Sequence, residues 1–187
     1  MKLNRPLNAT SASLLGFLHE GPMSGWDLWA AAHARIGDFW SLTRSQVYRE
    51  LAAMADAGLI VPGPAGPRDR LPFAITGTGR AAFAEWVEGE PGPETIRFPL
   101  LLTIVFGRHL PPERLAAFVQ SHKAAHADRL RAYQHVQKEG RLGDDPYAAA
   151  TLDFGLAYER AVLAWFDSLP PAICAPNGSA ADDDSND

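Results

Sequence analysis

The segment from Thr43 to Gly58 constrains the fold more than any other part of the chain. Threonine is a favoured helix N-cap, because its side-chain oxygen accepts from a free backbone N–H of the first turn. Behind it Val47, Leu51 and Met54 follow at spacings of four and three, which puts them on one face of a helix. Ser45, Tyr48, Arg49, Ala52 and Asp56 fall on the opposite face. Gly58 is placed to take the left-handed conformation that closes such a helix. The pattern predicts a helix buried along one stripe, with hydroxyls, a tyrosine and an arginine facing outward.

Two shorter helices are expected before it. Ser11, Leu14, Leu15 and Leu18 lie at i, i+3, i+4 and i+7, and Gly21-Pro22 ends that segment. Ser24 is the expected N-cap of a second helix over Gly25–Ile36, with Leu28, Ala32 and Ile36 on one face. After Gly58, Leu59-Ile60-Val61 is β-prone, and a Pro/Gly-rich loop leads through Arg68 and Arg70. Leu71, Phe73 and Ile75 then alternate as a half-buried strand should. Thr76 is the expected cap of a fourth helix whose Phe83, Trp86 and Val87 share a face. The expected order is helix, helix, helix, hairpin wing, helix.

That order is the order of a winged helix-turn-helix, whose third helix enters the DNA major groove with its first turns against base edges. Free N–H groups and the dipole at the helix N-terminus favour nearby phosphate. On this reading Arg44, Ser45, Gln46, Tyr48 and Arg49 are candidate DNA contacts, and Arg68 and Arg70 of the wing grip the phosphate backbone. In isolation, two arginines on a polar face more often mark a plain solvated surface helix; the surrounding order of elements shifts the balance to the DNA reading.

These residues also carry a resemblance. Leu14-Leu15-Gly16-Phe17-Leu18, Gly21-Pro22-Met23-Ser24-Gly25-Trp26-Asp27-Leu28, Phe39-Trp40-Ser41 and Ser45-Gln46-Val47-Tyr48-Arg49-Glu50-Leu51 stand in the order and spacing of the PadR family of transcriptional regulators. Gly58-Leu59-Ile60, Phe73-Ala74-Ile75-Thr76, Gly79-Arg80 and Trp86 continue it. Beyond them, Phe106-Gly107, Leu110-Pro111-Pro112-Glu113-Arg114-Leu115 and Phe154-Gly155-Leu156-Ala157-Tyr158-Glu159 resemble the C-terminal helices of the longer members. The resemblance implies a dimeric winged-helix regulator, usually a repressor. It implies that the positions of Ser45, Gln46, Tyr48 and Arg49 face DNA or support the helix that does. Two departures stand out: Ala52 and Ala53 occupy positions that are often basic in the family, and Arg49 a position that is often proline. The recognition helix is therefore lightly charged, and salt-sensitive binding with few phosphate contacts per protomer is expected.

Residues 89–97 form a Gly/Pro/Glu linker by composition. Three further helices are expected: an apolar one over Pro99–Phe106, one from Pro112 to about Gly140, and one from Pro146 to Ser168 ended by Pro170-Pro171. The second carries Leu115, Phe118, Val119, His122, His126, Leu130 and Tyr133 on one stripe. The third carries Phe154, Tyr158, Val162, Trp165 and Phe166 on one side and Leu152, Leu156 and Leu163 on another. A helix apolar on two sides needs more than one neighbour, which a second protomer supplies. Leu115, Phe118, His122, His126, Phe154, Tyr158, Val162 and Trp165 are thus the expected dimer contacts. The two histidines are expected as hydrogen-bonded interface residues, because no third ligand stands at metal-site spacing. The resemblance implies Trp26, Trp29 and Trp40 as candidates to line an aromatic effector site, although filling the core or the junction between domains is the commoner role for any one tryptophan.

The formal net charge of −5 argues against nucleic acid at first sight, but four of the acids, Asp182, Asp183, Asp184 and Asp187, lie in the last residues. That segment has no apolar pattern and reads as disordered. The expected division is a winged helix-turn-helix over 8–88, a linker over 89–97, a helical dimerisation region over 98–169 and an acidic tail over 170–187. The fold class is mainly α with a small β-hairpin wing. One cysteine, Cys174, excludes an intramolecular disulfide framework and fits a reducing cytosol. No leader and no membrane span are expected, nor any cofactor or metal. The nucleophile elbow, the zinc-protease motif, the phosphate loop and the dinucleotide fingerprint are all missing, so an enzyme is not expected. The expected partners are double-stranded DNA, a second copy of the chain and a small aromatic effector. Two alternatives stay open: a winged-helix module that binds protein only, and a small-molecule carrier using the tryptophans.

Overall fold

The computed structural model describes residues 7–37, 39–64, 71–94, 96–140 and 142–174. The chain divides into two compact units between Pro93 and Glu94.

The first unit opens with α1 (Ala9–Leu18), capped by Asn8, whose side chain accepts from Ser11 N at 2.9 Å. Leu14, Leu15 and Leu18 are fully buried, as their spacing predicts. The two-residue strand β1 (Met23–Ser24) leads into α2 (Gly25–Arg35), where Ser24 Oγ accepts from Asp27 N and the Asp27 carboxylate accepts from Ser24 N. Such a reciprocal box satisfies two free donors at once and fixes where the helix begins. Helix α3 (Arg44–Asp56) buries Val47, Leu51 and Met54 against Leu14, Leu18 and Leu28 in a single core. Gly58 closes the turn after it at φ 70°, a conformation that any other residue would adopt only at a cost.

Strands β2 (Ile60–Pro62) and β3 (Pro72–Ile75) pair antiparallel, with Ile60 opposite Ile75. The expected hairpin is present, but it is part of a three-stranded antiparallel sheet of order β1-β3-β2, in which Met23 pairs with Phe73. This corrects the expected alternation along Leu71, Phe73 and Ile75. All four residues of β3 are half-buried and Leu71 is exposed. A central strand is shaded along both edges, so Pro72 and Ala74 lose solvent along with Phe73 and Ile75. Helix α4 (Gly77–Glu88), capped by Thr76, buries Gly79 and Ala82 and packs Phe83 on the core. Trp86 and Val87, expected to share that face, are exposed, because the core of the unit ends one turn earlier at Phe83.

The second unit holds α5 (Pro99–Val105), a single 3-10 turn over Gly107–His109, and the 28-residue α6 (Pro112–Glu139). Helix α7 (Pro146–Asp167) follows, capped by Asp145, whose carboxylate accepts from Tyr147 N and Ala148 N. Proline in the first turn of α5, α6 and α7 is preorganised for helix and lacks only an N–H that would have no partner there. Leu100, Val119 and Phe166 form the buried centre, with Phe98, Val162, Trp165 and Leu169 packed on it. The chain does not become irregular at residue 170. Pro171 opens a further short helix, α8 (Pro171–Cys174), whose Ile173 and Cys174 pack against the same core. The first residues of the segment expected as a tail over 170–187 are thus helical, because two apolar side chains find a surface to cover. Residues 175–187 lie outside the described residues. Among the described residues no helix is long and apolar enough to cross a membrane.

Candidate nucleic-acid interface

Helix α3 is held at its first turn by a second reciprocal box. Thr43 Oγ1 accepts from Gln46 N at 3.2 Å, and Gln46 Oε1 accepts from Thr43 N at 2.8 Å and from Thr43 Oγ1 at 3.0 Å. Gln46 thus supports the start of the helix, its amide oxygen being committed to the cap. Arg44, Ser45, Tyr48 and Arg49 are all exposed on the first two turns, above the buried Val47 and Leu51. Ala52 and Ala53 are exposed beyond them and add no charge.

Each long side chain on this face has a support. Tyr48 is 53% exposed, yet its ring lies against Gly25, where a β-carbon would stand only 2.6 Å from Tyr48 Cε1. The absence of a side chain at the first residue of α2 therefore makes room for the tyrosine. The Arg44 guanidinium lies 4.3 Å from the Trp29 ring centroid, a cation–π contact. Trp29 is in turn fixed by its indole N–H, which donates to Leu42 O at 3.1 Å, and by stacking with His33 at 5.4 Å. Arg49 Nη2 stands 3.5 Å from Glu50 Oε1.

Glu50 is a residue that the sequence reading did not single out. Its other oxygen accepts from Asn8 Nδ2 at 3.0 Å and from Ser11 Oγ at 2.8 Å. The hydrogen bond from Asn8 lowers the carboxyl below its ordinary range, with Ser11 and Arg49 adding to the effect and burial opposing it. A signal was present: Glu50 follows Val47 by three and precedes Met54 by four, so an acid stands on the buried stripe itself. Arg68 and Arg70, the wing candidates, lie outside the described residues.

The three tryptophans do not behave alike. Trp29 packs on the core as a brace for α3, while Trp26 and Trp40 are exposed. Core packing accounts for Trp29, since its ring and N–H both have partners.

The expected dimer contacts also separate into two groups. Leu115 and His126 are buried within the protomer, and Val162 and Trp165 pack on its own core. These four side chains therefore take part in the packing of the protomer itself. Phe118, His122, Phe154 and Tyr158 remain exposed. The apolar helix α5 adds Leu101, Leu102 and Val105, with Phe106 after it; Leu102 is 64% and Val105 63% exposed.

His126 forms its hydrogen bond inside the unit, 2.5 Å from Glu159 Oε2, and Arg129 Nε donates to Glu159 Oε1 at 2.9 Å. Glu159 is 2% exposed and its two oxygens are both satisfied, the condition under which a buried carboxylate is tolerated. An open cleft of about 160 Å³ in this unit is lined by Val136, Leu142, Ala149 and Leu152 among others, and by none of the tryptophans.

Residues 96–170 match the family described as Virulence activator alpha C-term. Over 169 residues the chain is 24% identical to the negative transcriptional regulator PadR of Bacillus subtilis, covering 84% of this chain and 93% of that protein. The crystal structure of Bacillus subtilis PadR in complex with operator DNA superposes with a TM-score of 0.70 at 23% identity, covering 86% of this chain and 96% of that one. PadR in complex with p-coumaric acid gives 0.63 at 22% identity over 91% and 98% of the two chains. The Vibrio cholerae virulence activator AphA gives 0.65 at 22% identity over 85% and 94%. At these identities the structural likenesses establish the winged-helix fold with a C-terminal helical region.

Proposed function

The chain belongs to the PadR family of transcriptional regulators, and from that premise we propose that it is a sequence-specific DNA-binding repressor, acting as a dimer on a palindromic operator and released by a small aromatic effector. The observation that carries the reading is the outer face of α3. Ser45, Tyr48 and Arg49 stand exposed above a fully buried Val47–Leu51–Met54 stripe, with Arg44 braced on Trp29 and Tyr48 seated on Gly25. A reading helix needs this combination, because base discrimination requires donors held in place by a rigid underside. The structure of a relative with operator DNA supports the same use of the fold.

Few cations on α3 make one copy a weak reader, which favours a pair. The exposed apolar residues Leu101, Leu102, Val105, Phe106, Phe118, Phe154 and Tyr158 of the C-terminal unit supply the surface for a second copy. A two-fold dimer meets half-sites one helical turn apart, roughly 34–36 Å, or a multiple of it. The effector is an aromatic acid or a similar flat molecule, by likeness to the relative solved with p-coumaric acid. Trp26 and Trp40 are the exposed rings offered for it.

Footprinting on the promoter of the chain's own gene tests DNA binding, symmetry and spacing together. A protected palindrome is expected, and reversal of charge at Arg49 and Arg68 together (Arg49→Glu, Arg68→Glu) abolishes it. Absence of salt-sensitive binding to that fragment refutes the reading. For the effector, linkage requires that a ligand which weakens DNA binding is itself bound more weakly by the same factor in the presence of DNA. Quenching of tryptophan fluorescence by p-coumaric acid with no change in DNA affinity removes the effector from the proposal.

A further inference from the structure

On the outer face of α3 one cation is opposed by a carboxylate from its own helix. Glu50 is next to Arg49 in sequence, yet it is turned under the helix, its side chain 14% exposed against 69% for Arg49. Its Oε2 is held by two side chains of α1, Asn8 Nδ2 at 3.0 Å and Ser11 Oγ at 2.8 Å. Those two groups are themselves locked together, since Asn8 Oδ1 accepts from Ser11 N at 2.9 Å in capping α1. The carboxylate thus sits at the positive end of α1, where the helix dipole and the hydrogen bonds keep it ionised. Its free oxygen, Oε1, faces Arg49 Nη2 at 3.5 Å.

We infer that Glu50 is a positioning and specificity-determining residue, one that cancels the charge of Arg49 toward random phosphates while holding its guanidinium ready for a base edge or a single fixed phosphate of the operator. The inference rests on the DNA-binding function proposed above and deepens it. A free surface arginine would bind any duplex, because phosphate contacts carry no sequence information. With a fixed anion beside it, Arg49 releases little counterion on non-operator DNA. It contributes fully only where a specific acceptor competes with Glu50. The anion cannot swing away to follow the arginine, since Asn8 and Ser11 pin it to another helix. A chain with alanines at 52 and 53 has few cations on this helix, so the state of this one weighs heavily in the balance of specific to non-specific binding.

Glu50→Gln removes the charge and keeps an amide oxygen that Asn8 and Ser11 can still use. The experiment measures affinity for the protein's own promoter fragment and for a scrambled duplex of equal length, each over a range of salt. Glu50→Gln is expected to bind the scrambled duplex on the order of tenfold more tightly and to steepen its salt slope by about one per protomer. The operator-to-scrambled ratio falls accordingly. In an Arg49→Ala background the same substitution has no such effect. Arg49→Ala by itself, at an exposed site that does not threaten folding, lowers promoter affinity while leaving the scrambled-duplex salt slope unchanged. A loss of about one from that slope in Arg49→Ala means that Arg49 was already a free phosphate contact, and overturns the inference. An effect of Glu50→Gln that persists without Arg49, or equal gains on both duplexes, also overturns it. In either case wild-type promoter binding leaves the function itself standing. If the wild-type protein binds neither duplex in a salt-sensitive way, the function falls and this inference with it.

Discussion

Alanine at position 25 should change sign in its effect on stability according to what stands at position 48. Gly25 is the first residue of α2, and its φ is not among the left-handed glycines. Alanine there is compatible with the backbone and, in empty space, stabilises by about 0.4–1 kcal/mol through the unfolded chain. The space is not empty. The new β-carbon meets Tyr48 Cε1 at 2.6 Å, Tyr48 Cζ at 3.0 Å and Leu51 Cδ1 at 3.1 Å. Leucine δ-carbons move easily, but the tyrosine ring must be displaced as a unit, and overpacking of this kind costs about 1–3 kcal/mol. The net expectation for Gly25→Ala is a loss of about 0.5–2 kcal/mol, or several degrees in Tm at roughly 4–8 °C per kcal/mol for a unit of this size. Tyr48→Ala removes the obstructing ring, so Gly25→Ala in that background should stabilise by about 0.4–1 kcal/mol. Urea unfolding followed by tryptophan fluorescence, on all four members of the double-mutant cycle, measures the reversal. DNA affinity supplies a second readout, since Gly25→Ala should weaken promoter binding by displacing Tyr48 even where the protein remains folded. Equal destabilisation by Gly25→Ala with and without Tyr48 refutes the reasoning, because the tyrosine would then not be what the glycine accommodates.

Three further outcomes are expected. Thr43→Ala removes the oxygen that accepts from Gln46 N and should cost about 1 kcal/mol in urea unfolding, with weaker promoter binding as the first turn of α3 frays. Glu50, whose carboxyl is lowered first by the Asn8 hydrogen bond, contributes stability that is present above the unfolded-state carboxylate pKa and is lost as pH falls through the lower folded value. Acid unfolding of the wild type should therefore be steeper below the ordinary carboxylate range than that of Glu50→Gln; parallel curves contradict the assignment. Glu159→Ala removes a carboxylate that is 2% exposed, leaves His126 and the partly buried Arg129 without their shared partner, and should cost about 3–5 kcal/mol in the C-terminal unit. An effect below 1 kcal/mol in differential scanning calorimetry shows that water replaces the carboxylate there.

What the sequence determined by itself is local. Thr43, Ser24 and Thr76 mark helix starts because a cap acts within three residues, and the Val47–Leu51–Met54 stripe follows from the helical period alone. Gly58 closes its turn for the same kind of reason: the backbone demand and the residue that meets it coincide. What only the tertiary structure decided is which distant segment meets which. Met23 pairs with Phe73 across some fifty residues, and this turns an expected hairpin into a three-stranded sheet. Leu115 and His126 point into their own protomer, while Phe118, one turn of the same helix from Leu115, points out. Periodicity assigns a face to each of them but not the neighbour that covers it. The helix from Thr43 is the clearest case of both. Its buried stripe was legible in the spacing, but the seat of Tyr48 on Gly25, the brace of Arg44 on Trp29 and the anchoring of Glu50 to α1 were not. Those contacts depend on how α1 and α2 cross α3, and packing geometry between helices is set by the whole core rather than by any one segment.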